Sequence, residues 1–258
     1  MQTTFYKYQG TGNDFVMIDN RQRNFDKNNT KRIAFLCDRR FGIGADGLIL
    51  LENHDSCDFK MVYFNADGNE SSMCGNGGRC ITAFANFLGV IDSEATFEAI
   101  DGMHKATIKD GIVHLQMQDV DVLEDHKTHV FLDTGSPHHV QMADDLNSVD
   151  VKTLGRQIRC APPYNEAGSN VNFVTKHSDD NFSVRTYERG VEDETLSCGT
   201  GVTAVAIAMH YTGRTKHDLI SLQTQGGHLK VSFNVENTRY TNIWLIGAAT
   251  QVFKGYIS

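Results

Sequence analysis

The 258-residue sequence lacks any apolar run approaching the roughly 20 residues that a membrane-spanning helix needs. It also lacks an excess of positive charge: 24 Lys and Arg stand against 32 Asp and Glu, for a formal net charge of −8 at pH 7. An acidic chain is poorly suited to bind nucleic acid or an anionic membrane surface. We therefore expect no nucleic acid and no membrane as partners, and a small molecule as the ligand.

Signals for secretion and for structural zinc are missing too. The N-terminal stretch, MQTTFYKYQGTGNDF, has no charged segment followed by an apolar one, so we expect a cytoplasmic protein whose thiols stay reduced. None of the six cysteines belongs to a Cys-x-x-Cys pair, and no histidine lies at zinc-finger spacing from one. No structural zinc is expected, and most of the cysteines should be small buried hydrophobic residues.

What the sequence does contain is an internal repeat. The segments MCGNGGRCITAFANFLG (73–89) and SCGTGVTAVAIAMHYTG (197–213) both place Cys-Gly-x-Gly before an apolar stretch, with a glycine fifteen positions after the cysteine. Such a run predicts a helix that ends at a C′ glycine. The second helix has almost no polar face, so it should be buried.

Three further blocks extend this repeat. Strand-like runs precede the cysteines, FKMVYFNADG and FSVRTYERG, and hairpin-like runs follow them; GTGNDFV (10–16) also matches GSNVNFV (168–174). The pattern predicts an α+β protein of two pseudo-symmetric halves, each a mostly antiparallel β-sheet wrapped around a central helix. The break is expected near 118–128, which gives an N-terminal half 1–120, completed by 248–258, and a C-terminal half 121–247.

A cysteine at the start of a helix faces unpaired N–H groups and the positive end of the helix dipole, which lowers the pKa of its thiol. The glycines after it let backbone N–H groups hold a carboxylate. One such motif is compatible with a structural, redox or nucleophilic cysteine. Two motifs related by a repeat favour a site in the cleft between the halves, where one thiolate removes an α-proton and the opposite thiol protonates the other face. That chemistry needs no metal and no other cofactor.

Several other patterns are weaker. GIGADG (42–47) matches the dinucleotide-binding fingerprint, but helical spacing precedes it and a strand-like run follows it, so a tight helix-to-strand turn is favoured. His138-His139 has no carboxylate cluster beside it to suggest a metal. Cys80 shares a predicted helix with Cys74 and should pack in the core. The remaining cysteines without a motif are interpreted as structural: Cys37, Cys57 and Cys160.

The segments NADGNESSMCGNGGRC and YERGVEDETLSCGTG resemble the two active-site signatures of the diaminopimelate epimerase family. GTGNDFVMID, FGIGADG, SPHHV and GSNVNFV follow in that family's order, so the resemblance covers almost the whole chain. It implies cofactor-independent interconversion of LL- and meso-2,6-diaminopimelate, for lysine and peptidoglycan precursor synthesis. It also implies a cytoplasmic homodimer with the substrate between two pseudo-symmetric halves.

The resemblance also assigns roles to residues. Cys74 and Cys198 are implied to be the acid/base pair, with Cys198 accepting the proton in the LL-to-meso direction, and His138 and Glu188 are implied to lie near the reacting centre. Gly75, Asn76, Gly199 and Thr200 would hold the reacting carboxylate. The residues implied to hold the other amino-acid end are Asn13, Asn65, Asn170, Glu188 and Arg189.

This sequence departs from the family pattern at two places. Ser136-Pro137-His138 stands where Asn-Pro-His is expected, and the loop ERGVEDETLSC is one residue longer, with Glu192-Asp193 where glycine is typical. One alternative is a proline racemase or hydroxyproline epimerase, which the YERG stretch disfavours; a related isomerase class lacks the cysteine pair. Another is a redox-sensing or ligand-binding protein, which would show no turnover of any amino acid.

Overall fold

The structure, a computed structural model, describes residues 2–257. The chain divides into two compact units: an N-terminal unit of residues Met1–Leu115 and Gly247–Ser258, and a C-terminal unit of residues Gln116–Ile246. Within residues 2–257, no helix is both long enough and apolar enough to cross a membrane.

The N-terminal unit contains helices α1 (Thr30–Cys37) and α2 (Gly75–Phe87). Its strands are β1 (Thr3–Gly10), β2 (Asn13–Asp19), β3 (Gly47–Glu52), β4 (Phe59–Asn65), β5 (Glu94–Ala99), β6 (Gly102–Lys109), β7 (Ile112–Gln116) and, from the C-terminus, β17 (Thr250–Ile257).

The C-terminal unit contains helices α3 (Val151–Cys160) and α4 (Gly199–Tyr211). Its strands are β8 (Leu123–Asp125), β9 (Val130–Asp133), β10 (Pro137–Met142), β11 (Asn170–Ser178), β12 (Asn181–Glu188), β13 (Asp193–Thr195), β14 (Leu219–Thr224), β15 (Gly227–Glu236) and β16 (Arg239–Ala248).

The two units repeat one pattern of strand pairing. The order is β17-β1-β2-β3-β4-β5-β6-β7 in the first and β8-β9-β10-β11-β12-β14-β15-β16 in the second. The parallel neighbours are β2–β3 and β4–β5 in one unit, and β10–β11 and β12–β14 in the other; the remaining neighbours are antiparallel. The predicted α+β class is confirmed. One predicted equivalence is wrong: GSNVNFV forms β11, which takes the place of β3 rather than β2.

Each unit has a buried central helix. Helix α2 contacts β1, β2, β3, β6 and β17, while α4 contacts β9, β10, β11, β12, β14 and β15. Residues 202–209 of α4 are at most 2% exposed, as the absence of a polar face predicts. Gly89 and Gly213, each with φ 68°, follow the ends of the two helices in the left-handed conformation, so the predicted C′ glycines are confirmed.

The other helix of each unit, α1 or α3, also packs against the sheet. On α1, Ile33 and Leu36 belong to a core cluster with side chains of β2, β3 and β4. On α3, Gly155 lies so close to the sheet that a Cβ there would be 2.3 Å from Cβ of Tyr187. GIGADG joins α1 to β3, which confirms the predicted helix-to-strand turn.

The burial of the motif-free cysteines differs from one to the next. Cys37 and Cys80 are buried, as predicted, and Cys57 is half-buried. Cys160 is exposed at the last residue of α3, so the prediction of a buried structural role is wrong there. Helix α3 is amphipathic, and Cys160 lies outside its buried face, which carries Val151 and Gly155.

Candidate active site

Cys74 is the N-cap of α2. Its backbone is extended, with φ −104° and ψ 150°, and its Sγ accepts a hydrogen bond from the backbone N–H of Gly77 at 3.3 Å. An N–H group that donates to sulfur stabilises the thiolate more than the thiol, as does the positive end of the helix dipole. The predicted position of Cys74 at the mouth of a glycine turn is therefore the position the chain adopts.

Asn13 and Asn76 lie beside this cysteine. The Oδ1 atom of Asn13 is 3.9 Å from Sγ of Cys74 and 3.4 Å from Nδ2 of Asn76. The amide of Asn13 is oriented from its other end, because its Nδ2 donates to Asp46 at 2.5 Å. A carboxylate can only accept, so this contact fixes the Asn13 carbonyl oxygen toward the cysteine.

Asp46 belongs to an ion-pair network at the β1–β2 hairpin. Arg39 contacts Asp46 and Asp14, both at 2.7 Å, and the buried Lys7 contacts Asp14 at 2.8 Å. Burial acts to raise the pKa of Asp14, but the hydrogen bonds and charges of Arg39 and Lys7 outweigh it and hold that pKa at about 2. Asp46 therefore orients Asn13 directly, and Arg39 links Asp46 to Asp14. Sequence reasoning missed both aspartates.

Cys198 is the N-cap of α4 and lies near two of the predicted site residues. Its Sγ is 3.4 Å from the hydroxyl oxygen of Thr200, and that oxygen is 3.0 Å from Nε2 of His138. His138 is fully buried on β10. Thr134 holds the backbone of Thr200 by donating to its carbonyl oxygen at 2.9 Å. The structure thus brings together His138, Thr200 and Cys198.

The direction of these hydrogen bonds follows from Asn172 on β11. Its Nδ2 donates to the backbone carbonyl of His139 at 3.0 Å, which can only accept, so the amide orientation is settled. The same Nδ2 lies 3.2 Å from Nδ1 of His138, so Nδ1 accepts and Nε2 carries the hydrogen. His138 then donates to the Thr200 hydroxyl, which can donate in turn to Sγ of Cys198. This arrangement stabilises a Cys198 thiolate.

His138 is neutral within this hydrogen-bond network. Burial, followed by repulsion from the positive charge of Arg189, lowers its pKa from 6.5 to about 3. At neutral pH the ring therefore positions a hydrogen bond and supplies no charge. Sequence reasoning placed His138 in the site but missed Asn172, the residue that sets its tautomer.

Asn170, Ser136 and Arg189 form a second group in the C-terminal unit. The Nδ2 atom of Asn170 donates to Oγ of Ser136 at 2.8 Å and to the carbonyl of Pro137 at 3.0 Å, and its Oδ1 accepts the backbone N–H of Arg189 at 2.9 Å. The guanidinium of Arg189 donates to the carbonyl of Ala167 at 3.0 Å. Ser136, the departure from the family pattern, therefore holds one of the predicted binding residues.

The longer loop after β12 is anchored at Glu192. This residue has φ 59°, a left-handed conformation that is unusual without glycine. Its carboxylate accepts from the Tyr187 hydroxyl, the Arg159 guanidinium and the Gly190 N–H, each at 3.0–3.1 Å. These three bonds hold the conformation that a glycine would adopt freely. Glu188, at the end of β12, is half-buried beside this loop.

The second glycine of each Cys-Gly-x-Gly motif has little space around it, least of all in α4. A Cβ on Gly77 would lie 3.2 Å from Sγ of Cys74, and a Cβ on Gly201 would lie 2.6 Å from Oδ1 of Asn172. Both glycines sit one turn into their helices, directly beneath the cysteine. A side chain at residue 201 would displace Asn172, whereas one at residue 77 would press against Sγ of Cys74.

The remaining predicted residues lie where the motifs place them. Gly75 and Gly199 are the first residues of α2 and α4, and Asn65 is exposed at the end of β4, opposite Gly47. Within residues 2–257, no three His, Cys, Asp or Glu side chains converge as a metal site.

Comparison with known proteins identifies the family of the chain. A sequence model of the family described as diaminopimelate epimerase matches residues 5–122 and 130–252. The diaminopimelate epimerase of Flavobacterium psychrophilum is 62% identical over 250 residues, covering 96% of this chain and 98% of the relative. That of Aquifex aeolicus is 38% identical, covering 98% of this chain and 97% of the relative.

Solved structures share the fold at low sequence identity. A PhzF-family phenazine biosynthesis protein of Bacillus anthracis is 12% identical with a TM-score of 0.77, covering all of this chain and 99% of its own. A hydroxyproline epimerase of Agrobacterium vitis is 15% identical with a TM-score of 0.69, covering 99% and 92%. The family match over both units and the two curated relatives settle the classification: the chain belongs to the diaminopimelate epimerase family.

Proposed function

We propose that this protein is an isomerase that interconverts LL- and meso-diaminopimelate, a step of lysine and peptidoglycan precursor synthesis. The observation that carries the proposal is the occurrence of one cysteine at the start of the central helix of each unit, Cys74 on α2 and Cys198 on α4. Family membership supplies the substrate, and the paired cysteines supply the chemistry.

The proposed reaction uses two bases. In the LL-to-meso direction the Cys198 thiolate takes the α-proton, which leaves a planar carbanion whose charge spreads onto the carboxylate. The Cys74 thiol then protonates the opposite face of that carbon, so the proton count balances and the two sulfurs exchange states. In the reverse direction each cysteine takes the other role. The mechanism requires both sulfurs to reach one α-carbon from opposite faces.

The polar groups near each cysteine support this assignment. We propose that the backbone N–H groups of Gly75, Asn76, Gly199 and Thr200 hold the reacting carboxylate, because helix N-termini bind anions. Neutral His138 is proposed to act through Thr200 on Cys198. Arg189 and the amides of Asn13, Asn65 and Asn170 are proposed to hold the other amino-acid end, with Glu188 for an ammonium group.

The proposal is tested by incubating the protein with LL-diaminopimelate in D2O. Inversion at one α-carbon is expected, with one solvent deuterium in the product and little deuterium in the unreacted substrate early in the reaction. L-Proline and trans-4-hydroxy-L-proline are the matched substrates for the alternative racemase function. Turnover of either in place of diaminopimelate, or turnover of none with reversible oxidation of the cysteines, would contradict the proposal.

We also propose that the reaction needs no metal, pyridoxal phosphate or nucleotide, because thiols and backbone N–H groups supply the base, acid and carboxylate site. Prolonged treatment with a chelator should leave the rate unchanged. Loss of turnover that added zinc restores would contradict this claim.

A cytoplasmic homodimer completes the proposal. A reducing compartment suits a mechanism that needs two separate thiols. Val252 and Tyr256 lie on the same face of β17 and are 56% and 60% exposed, so this face offers apolar surface that a second copy of the chain would bury. Sedimentation at micromolar concentration should give twice the chain mass of 28.7 kDa; a monomer would contradict the dimer.

A further inference from the structure

Arg79 is a completely buried guanidinium within the first turns of α2. Its Nη1 donates to the carbonyl of Gly75 at 3.2 Å, and its Nη2 donates to Oδ1 of Asn76 at 2.9 Å and to Oγ1 of Thr11 at 3.1 Å. Its Nε is buried without a hydrogen-bond partner. Buried charges are normally paired with an opposite charge, and this one is held by neutral oxygens alone.

No carboxylate among residues 2–257 forms an ion pair with Arg79. Asp14, on the adjacent β2, is already paired with Lys7 and Arg39. Two other acidic groups, Cys80 on α2 itself and Tyr8 on β1, stay neutral at pH 7. Burial raises the pKa of Cys80 to about 12, and burial also raises that of Tyr8.

Arg79 itself stays charged. Burial lowers its pKa to about 10, with the nearby sulfurs of Cys80 and Cys74 acting in the opposite direction, so the guanidinium remains a cation at neutral pH. A positive charge without a counter-charge is thus held inside the N-terminal unit. Such an arrangement is unfavourable unless an anion arrives during function.

The location of this charge indicates where that anion arrives. The guanidinium reaches back to the carbonyl of Gly75 and the side chain of Asn76, within about one helical turn of Cys74. The positive charge therefore adds to that of the helix N-terminus at the first turn of α2. Two anions belong there in the proposed reaction: the Cys74 thiolate and the carboxylate of the reacting centre.

The β1–β2 hairpin leaves space for the Arg79 side chain because residue 10 is a glycine. A Cβ on Gly10 would lie 3.2 Å from Nη2 of Arg79, 3.3 Å from the carbonyl of Asn76 and 3.4 Å from Sγ of Cys80. Thr11, in the turn, adopts φ 51° and presents its hydroxyl to the same nitrogen. The buried site for the cation is therefore formed by two elements of the unit.

The C-terminal unit has no such charge at the matching position. The residue five positions after Cys198 is Thr203, which is fully buried and neutral and donates to the carbonyl of Gly199 at 3.0 Å. The neutral His138–Thr200 pair accompanies Cys198 instead. The charge environments of the two cysteines are therefore different, although their helices begin alike.

We propose that Arg79 is a positioning residue whose buried charge stabilises negative charge at the start of α2, on the Cys74 thiolate and on the carboxylate bound there. The same guanidinium orients Asn76. The part of this inference that concerns the carboxylate rests on the proposed function. The part that concerns the thiolate does not, and it can be measured without substrate.

The test is the pH dependence of iodoacetamide alkylation at Cys74 and at Cys198, followed by mass spectrometry of their peptides. Arg79→Gln should raise the apparent pKa of Cys74 by about one unit or more, since an opposite charge at close range shifts a pKa by about 1–3 units. Arg79→Lys should keep most of the wild-type value. Thr203→Val, the matched change in α4, should leave Cys74 unaffected. An unchanged Cys74 pKa in folded Arg79→Gln would overturn the proposal.

Wild-type protein gives a measurement that does not depend on whether the variant folds. The apparent pKa of Cys74 should lie below the ordinary cysteine value of about 8.5. A value at or above it would overturn the proposal as well.

Turnover separates this inference from the proposed function. The equilibrium between the isomers is a property of the substrate, so Arg79→Gln must lower kcat/KM by the same factor in both directions, on the order of tenfold or more at pH 7. If wild-type protein did not turn over diaminopimelate, the proposed function would fail while the alkylation shift still tested Arg79. If wild-type protein turned it over and the variant matched it, Arg79 would have no role.

Discussion

Nε2 of His138 lies 3.0 Å from the hydroxyl oxygen of Thr200, and the neutral ring donates this hydrogen bond. The Thr200 hydroxyl is thereby left to donate to Sγ of Cys198 at 3.4 Å. A histidine at this position therefore affects the cysteine through a hydroxyl group rather than through charge.

Replacing Thr200 by valine should show the importance of that hydroxyl. Loss of a hydrogen bond to a thiolate costs about 1.5–3 kcal/mol, which corresponds to about a tenfold to a hundredfold fall in kcat/KM. Thr203→Val is the control, since Thr203 lies on the same helix and its hydroxyl bonds only to a helix carbonyl. Epimerase kinetics with LL-diaminopimelate would measure the effect. Equal rates in the two variants would contradict the role given to Thr200.

Ser136→Ala should weaken substrate binding modestly. Asn170 loses one hydrogen bond, at 2.8 Å, but keeps the bond to Pro137 and the one from the Arg189 N–H. A loss of about 1 kcal/mol corresponds to roughly a fivefold rise in KM, with kcat little changed. Ser148→Ala, at an exposed turn, is the control. A large fall in kcat with unchanged KM would place Ser136 at the reacting centre instead.

The two central helices, with a cysteine at the start of each, could be predicted from the sequence because their signals are local. Gly89 and Gly213 each lie fifteen positions after a cysteine, Cys74 and Cys198 respectively. The residues between form a helix of thirteen residues in both cases. The contacts made by Arg79, Asp46 and Asn172 could not be predicted in the same way. Asp46 and Asn172 each contact a residue 33 positions away, and Arg79 reaches Thr11 across 68 positions. A charged side chain in an apolar helix also gives no hint of its partners.

The mistaken equivalence of GTGNDFV with GSNVNFV has a related cause. Both segments lead into buried strands from a glycine, so their sequences look alike. The order of elements shows that β11 follows α3, as β3 follows α1, and only the strand pairing reveals that β11 stands where β3 stands. Strand order is set by non-local pairing, which short-range similarity does not determine.

Arg189→Ala should impair recognition of diaminopimelate far more than folding. The backbone N–H of residue 189 can still bond to Asn170, while the guanidinium is lost. Losing the contact between this guanidinium and a carboxylate of the bound substrate should lower kcat/KM by the equivalent of about 2–5 kcal/mol. Arg239→Ala, which removes an exposed ion pair with Asp119 and Asp121, should cost less than about 1 kcal/mol of stability and leave turnover unchanged. Normal efficiency of Arg189→Ala would contradict the proposed binding role.

Acid should destabilise the protein partly through His139. Burial, against a hydrogen bond to Gln141, lowers its pKa from 6.5 to about 4, with nearby His129 and His126 adding to the lowering. Because the folded-state pKa is depressed, the contribution to stability is complete above pH 6.5 and is lost as pH falls toward 4. The slope is at most about 1.4 kcal/mol per pH unit for one proton.

Urea unfolding between pH 7 and pH 4.5 measures this loss. His139→Gln should flatten the decrease in the free energy of unfolding over that window, whereas His177→Gln at an exposed position should not. An equally steep decrease in the two variants would show that His139 does not carry the effect.

The two-base mechanism is tested most directly by solvent-deuterium exchange in the single-cysteine variants. Cys74→Ala should abolish epimerisation yet still exchange the α-proton of the LL isomer slowly, because Cys198 can still remove it. Cys198→Ala should exchange only the reacting D-centre of the meso isomer. Cys80→Ala, buried on the same helix as Cys74, should keep turnover. Full epimerase activity in either Cys74→Ala or Cys198→Ala would contradict the mechanism.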